Sequence, residues 1–282
     1  MGQLKWNESL IERFEGEGRG KGEGRDYKPW HYIGDFSSLG RTHDTYGLKT
    51  HRPHQLLSDN EHRFFLLLEW CADVVDIREQ YPLERKQTLD VAAQIGAPHP
   101  YCWGTHVPWV MTVDFMVTRV HDGRRYLQAF NVKSSEEAED ELSMAKLEVQ
   151  RETLERQGIE HHLVFDTTMP QSKIDHIAWI RGGQRKPNEQ ELYPGFFDEK
   201  MTAMAADIAV DNVAGSLADY CKRFDSRQGL ARGTGLRLAR MLMGKKVLLP
   251  DLTQTTLQGA NMNTFLVTAL SGQPRLVGGS AQ

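Results

Sequence analysis

The sequence predicts an α/β fold: a central mixed sheet flanked by helices, followed by a smaller helix-rich domain. Three observations carry that expectation. Between residues 56 and 166 the residue patterns run helix, strand, hairpin, helix, strand, an order that builds a sheet with helices on its faces. His121-Asp122-Gly123 separates two apolar stretches, and Asp-Gly at a two-strand junction is a strong hairpin signal. After Pro170 the texture changes to helical sequence rich in Met and Ala. The expected division of the 282 residues is therefore an N-terminal arm over 1–30, an α/β domain over 31–170 and a C-terminal domain over 171–282.

Each element has a local reason. Residues 1–15 read as a short amphipathic helix. From Gly16 to Gly24 glycine alternates with charge, which removes packing side chains and predicts an extended, mobile arm that lies along a partner. Its GxGxxG-like spacing lacks a preceding strand and a following GK[ST], so it is not read as a nucleotide loop. Residues 37–54 read as polar loop or short strands. Ser58 followed by Glu61 is a capping-box pattern that opens a helix through Trp70. Val74 to Leu83 alternates, is β-branched and stops at Pro82, so it predicts a strand. A short helix is expected over 88–96 and a loop over 98–108. The hairpin strands follow, over 109–119 and 125–133. A long charged helix over 136–157 ends at Gly158, and a strand runs over 159–166. Beyond Pro170, helices are expected over 172–180, 198–210, 213–224 and 234–243. A strand over 247–251 pairs with a return over 264–270, the order of a winged helix-turn-helix.

Apolar content of 39% and charged content of 26% are those of an ordinary water-soluble chain. No apolar run approaches the roughly 18–20 residues that span a bilayer, and no signal-peptide core begins the chain, so no membrane partner is expected. Cys71, Cys102 and Cys221 are scattered and odd in number, which fits a reducing cytoplasm better than a disulfide framework or a zinc site. Net charge is −4 but uneven. Residues 1–171 carry 20 Lys+Arg against 28 Asp+Glu, and residues 172–282 carry 14 against 10. An acidic half suits a carboxylate-lined metal site and a mildly basic half suits nucleic acid or a partner, although chance asymmetry explains the charges equally well.

The chemistry concentrates on the hairpin. Asp114 sits between Val113 and Phe115 on an apolar strand, where an unpartnered carboxylate is costly to bury. Lys133, two residues past Asn131, shares a sheet face with it, and Asp114 lies on the paired strand. With Glu61 from the upstream helix, this is a carboxylate pair and a lysine. Metal-dependent hydrolysis of a phosphodiester needs oxygen ligands for a hard cation and a positive group near the attacking water. Asn131 departs from the acidic residue usual two positions before such a lysine, which raises the importance of Glu61. Plainer readings stand beside this one: Glu61 as a capping residue, Lys133 as a solvated lysine. His51, His54, His161 and His162 match no zinc spacing, and Glu148 and Glu152 read as a solvated helix face.

Taken as a set, five segments resemble the TnsA family, the endonuclease subunits of heteromeric transposases. They are Gly18-Arg19 to Trp30, Leu57-Ser58-Asp59-Asn60-Glu61, Asp76-Ile77-Arg78-Glu79-Gln80-Tyr81-Pro82-Leu83, Thr112-Val113-Asp114-Phe115 and Val132-Lys133. The resemblance covers residues 16–180 well and the C-terminal region more loosely. It implies a restriction-endonuclease-like catalytic domain and a C-terminal winged-helix domain. The family's catalytic Glu, Asp and Lys fall on Glu61, Asp114 and Lys133, and its amide residue before the Val-Lys pair falls on Asn131, where the family typically has Gln. It further implies Mg²⁺, or Mn²⁺ in its place, held by Glu61 and Asp114 with help from the Asn131 amide and the Val132 carbonyl. The implied activity is cleavage of 5′ strands at the ends of a mobile element in double-stranded DNA, in a bacterial cytoplasm. The implied partners are a TnsB-like transposase and a TnsC-like ATPase. Two alternatives stay open: a stand-alone restriction or repair nuclease of the same fold, and a catalytically inactive winged-helix scaffold.

Overall fold

The computed structural model describes residues 6–35, 41–136, 140–210 and 213–268, and the backbone of 274–276. The chain divides after Met169 into two compact units.

The first unit is built on a four-stranded sheet in the order β3 (Val74–Pro82), β4 (Thr112–His121), β5 (Arg124–Lys133), β6 (Glu160–Phe165). The first three strands are antiparallel and β6 runs parallel to β5, so the sheet is mixed. The β4–β5 turn has positive φ at both Asp122 and Gly123, the conformation that Asp-Gly accommodates best. The parallel β5–β6 pair requires a crossover, and helix α4 (Glu141–Glu155) supplies it. Leu154 of α4 packs with Leu83, Val113, Met116 and Ala129 on one face of the sheet. Val149 joins Val91 and Ala92 of α3 (Arg85–Ile95) and Met111 on that side. Helix α2 (Asp59–Trp70) covers the opposite face, where Phe64 meets the rings of Phe115 and Phe130. A two-stranded ribbon, β1 (His43–Tyr46) and β2 (Pro53–Leu56), lies against β3.

One expectation is overturned here. Residues 6–30 are not an extended arm but part of this unit. Helix α1 (Glu8–Gly16) buries Ile11 and Phe14, which cluster with Trp6, Trp30 and Val110. The alternating glycines are folded, not mobile spacers: Gly18, Gly20, Gly22 and Gly24 all take positive φ. A Cβ on Gly20 would stand 2.2 Å from Pro82 Cγ, so the turn closes against β3 only because that atom is absent. Arg19 within the turn is buried, its guanidinium 3.5 Å from the centre of the Phe14 ring and donating to the Trp30 carbonyl at 3.0 Å. The glycine alternation predicts missing packing, but in the fold it is what allows close packing.

The second unit holds α5 (Gln171–Arg181), α6 (Phe196–Val210), α7 (Leu217–Gln228) and α8 (Thr234–Gly244). A small antiparallel sheet follows, in the order β7 (Leu248–Leu249), β8 (Leu266–Thr268), β9 (Pro274–Leu276). Phe196, Met201, Met204, Phe224, Leu238 and Leu242 are among its buried apolar side chains. Helix α7 ends at Gly229 in the left-handed conformation, and Asp225 accepts from the backbone N–H groups of Gly233 and Gly235, tying the α7–α8 turn together. Among the described residues no helix is long and apolar enough to cross a membrane.

Candidate active site

Glu61 sits in the first turn of α2, where Ser58 is the N-cap. The Ser58 hydroxyl accepts from Glu61 N at 3.1 Å, as the capping-box pattern predicts. The carboxylate reaches back one residue further than the box requires. Its Oε2 accepts from Leu57 N at 2.9 Å and from Gln80 Nε2 at 3.2 Å, and Oε1 accepts from the Ser58 hydroxyl at 3.3 Å. The capping and functional readings are thus compatible, because the cap fixes the carboxylate against the sheet. Burial pushes the Glu61 pKa up to about 8, and the charge of Asp114 adds to the rise against those three hydrogen bonds. Two carboxylates therefore share one poorly solvated place.

Asp114 and Gln80 stand at a kink in the sheet. Glu79 pairs with Phe115 and Tyr81 with Val113, which places Gln80 opposite Asp114. Phe115 faces α2, yet Val113, two residues away, belongs to the cluster on the α4 side with Met116. Regular alternation would put Val113 with Phe115, so β4 reverses its faces at Asp114. β3 does the same: Arg78 and Tyr81 lie together, guanidinium 5.1 Å from the ring centre, although they are three residues apart. Gln80 takes φ +48° at this point, a conformation rare for a residue other than glycine.

The end of β5 completes the cluster. Val132 N donates to Asp114 Oδ2 at 2.7 Å, which fixes the carboxylate from the neighbouring strand. Asn131 is buried, and its Oδ1 lies 2.7 Å from His161 Nε2 on β6. An amide oxygen only accepts, so that ring nitrogen donates and His161 is in the Nε2–H form. Burial holds its pKa down at about 4, which keeps the ring neutral near pH 7. The Asn131 oxygen is thereby held in place with a second lone pair still available. Lys133 is half-buried at the strand's end.

Nothing in the sequence singles out Lys146. It lies on α4, half-buried, and desolvation lowers its pKa while Asp114 draws it up and Lys133 pushes it down. It is a cation within electrostatic reach of Asp114 and Lys133, four residues before Gln150, whose Nε2 donates to the Thr112 carbonyl at 2.8 Å. In sequence it is one charge among many on a charged helix. Glu148, by contrast, belongs to an exposed group of ion pairs centred on Arg151, together with Glu152 and Glu155.

His54 also has a role that spacing alone did not reveal. Glu79, fully buried, takes two hydrogen bonds from Arg52, at 2.7 and 2.6 Å, and a third contact from His54 Nδ1 at 2.7 Å. Burial opposes the charge on Glu79, but His54 and Arg52 outweigh it and bring its pKa down to about 2. This clasp pins the β1–β2 ribbon to the residue next to Gln80.

The donors at the kink are hard oxygens, two of them carboxylate, which suits Mg²⁺, an ion bound through one or two carboxylates while keeping several waters. Among the described residues no group of three or more His, Cys, Asp and Glu converges as a metal cage.

A family model described as TnsA-like endonuclease N terminal matches residues 71–166, a span that includes Asp114, Asn131, Val132 and Lys133 but not Glu61. The chain is also 33% identical over 237 residues to the transposon Tn7 transposition protein TnsA of Escherichia coli, covering 84% of each chain.

Proposed function

The chain belongs to the TnsA family of transposition endonucleases, and from that premise we propose that it cuts the 5′ strands at transposon ends with Glu61, Asp114 and Lys133 as its catalytic residues. The observation that carries this reading is the convergence of a buried Glu61 and Asp114 at one kink in the sheet, next to the end of the strand that bears Lys133.

In this reading Glu61 and Asp114 hold Mg²⁺, or Mn²⁺ in its place, with the Asn131 amide oxygen and the Val132 carbonyl as further donors. When bound, the cation supplies charge neutralisation at the scissile phosphate and makes the attacking water more acidic. The protein's part is mostly placement. Ser58, Leu57 and Gln80 orient Glu61, Val132 N orients Asp114, and neutral His161 orients Asn131. The Lys133 ammonium positions the water and offsets charge developing on the phosphoryl oxygens. Lys146 adds a second positive charge on the α4 side.

The 3′ strands fall to a TnsB-like transposase, and a TnsC-like ATPase connects the complex to target DNA. The second unit, read as a winged-helix domain, carries the DNA or partner contacts. Helices α5 to α8 followed by a small antiparallel sheet, and the surplus of Lys and Arg, support that reading.

Reconstituted transposition with both partner proteins tests the assignment. With Asp114→Ala or Lys133→Ala, 5′-strand cleavage should be lost while 3′-end joining continues, so that cointegrates replace simple insertions. Simple insertion at the unmutated level would overturn the site. The chain should cut poorly without these partners, and efficient cleavage by the purified chain alone would overturn that dependence.

A further inference from the structure

Gln80 combines features that rarely occur together. It is buried within a strand, it is not glycine, and its φ is +48°. Left-handed backbone costs an amide-bearing side chain of this length conformational energy, and such strain persists only where the surroundings hold it. Three contacts hold it here. Its carbonyl accepts from Trp30 N at 3.2 Å, the preceding Glu79 carbonyl accepts from the Tyr27 hydroxyl at 3.0 Å, and its own amide nitrogen donates to Glu61 Oε2 at 3.2 Å. The first two turn the backbone toward the N-terminal segment. The third turns the side chain toward the proposed site.

The kink also explains why this position is used. In an unbroken strand, Gln80 and Arg78 would share a face and Tyr81 would lie on the other. The reversal puts Arg78 and Tyr81 together and frees the Gln80 side chain to reach α2. The same reversal occurs across the ladder at Asp114. One irregularity in the sheet thus brings the Gln80 amide into a hydrogen bond with Glu61 and the Asp114 carboxylate into electrostatic reach of it.

We propose that Gln80 is a positioning residue for the cation site: its amide holds Glu61 in the orientation that binds the divalent ion, and its left-handed backbone exists to deliver that amide. The proposal rests on the reading of Glu61 and Asp114 as cation ligands. Hydrogen bonds to a ligand from a neighbouring group commonly set metal affinity by ~10–100-fold, which fixes the size of the effect to look for.

The test separates the two parts of Gln80 and uses the full chain with Mn²⁺ alone, without DNA. Gln80→Gly keeps a backbone at ease at positive φ and removes the amide. Gln80→Ala removes the amide and leaves the strain. Mn²⁺ dissociation constants from calorimetry and metal-free melting temperatures are measured for both, with Asp114→Ala as the control that should abolish binding. The expected result is that both variants bind Mn²⁺ ~10-fold or more weakly, while Gln80→Gly melts at or above the temperature of the unmodified chain. If Gln80→Gly binds Mn²⁺ with unchanged affinity while Asp114→Ala does not bind, the positioning role is wrong and the site stands. If affinity falls only in step with melting temperature, Gln80 serves the fold alone and the proposal is wrong. If the unmodified chain itself binds no Mn²⁺, the site assignment falls and takes the proposal with it.

Discussion

Glu61 carries a charge conflict that a measurement can reach without DNA. Its pKa stands at about 8 in the folded chain against a usual 4.5, raised by burial and by Asp114. Between those values the unfolded chain has released the proton and the folded chain keeps it, so the metal-free protein loses stability as pH rises from about 4.5 to about 8. Glu61→Gln removes the ionisable group and should flatten that slope, leaving the variant about 2–4 kcal/mol more stable than the unmodified chain at pH 8 in chelator. Thermal unfolding across this pH range checks it; parallel curves for the two proteins would show that no such conflict exists. Much of this residue-level picture was legible in sequence. Asp114 is the single Asp, Glu, Lys or Arg between Asp90 and Arg119, and so it stands out. Glu61 was legible as a cap and as a second candidate carboxylate beside Asp114, and the resemblance favours the second reading. Lys146 was not, because only the crossing of α4 over the sheet brings it near Asp114.

At the scale of elements, period and turn chemistry located α2, the hairpin and β6 well, because a buried face imposes a regular spacing on the sequence. The kink at Gln80 and Asp114 escaped because it breaks that spacing: residues 76–80 are all buried, and a strand covered on both faces has no alternation to read. The clasp on β3 was equally hidden, since Arg52, His54 and Glu79 come together only when the β1–β2 ribbon docks. Its contribution depends on pH in the sense opposite to that of Glu61. The Glu79 pKa is depressed from 4.5 to about 2, so the stabilisation is fully present above pH 4.5 and is lost as pH falls toward 2. That loss should reach about 3 kcal/mol. Arg52→Ala leaves the buried carboxylate without its main partner and should cost ~3–5 kcal/mol at neutral pH. Urea unfolding at pH 7 and pH 2 measures both; an Arg52→Ala variant as stable as the parent would mean that Glu79 finds another partner or water.

For the whole molecule, the decisive question is what the first thirty residues do. Read as a glycine-rich arm, they would be dispensable for folding, and deleting them would affect partner binding alone. Their packing says otherwise. Trp6 and Trp30 stack with ring centres 6.4 Å apart and Phe14 meets both edge-on, over Val110 just before β4. Aromatic side chains of this size contribute several kcal/mol each to a core, so Phe14→Ala should cost ~3–5 kcal/mol. The same segment supplies the Trp30 N–H and the Tyr27 hydroxyl that hold the β3 kink, which ties the core at the N-terminus to the geometry of Glu61. A chain starting at residue 31 should therefore lose the cooperative unfolding of its first unit, visible as a missing transition in calorimetry and as protease cleavage within residues 74–133. Helices α5 to α8 have a core of their own and should keep their transition. A truncated chain that retains both transitions at their original temperatures would restore the arm, and with it the separation of glycine-rich segment from proposed site that the packing of Arg19, Trp30 and Gln80 argues against.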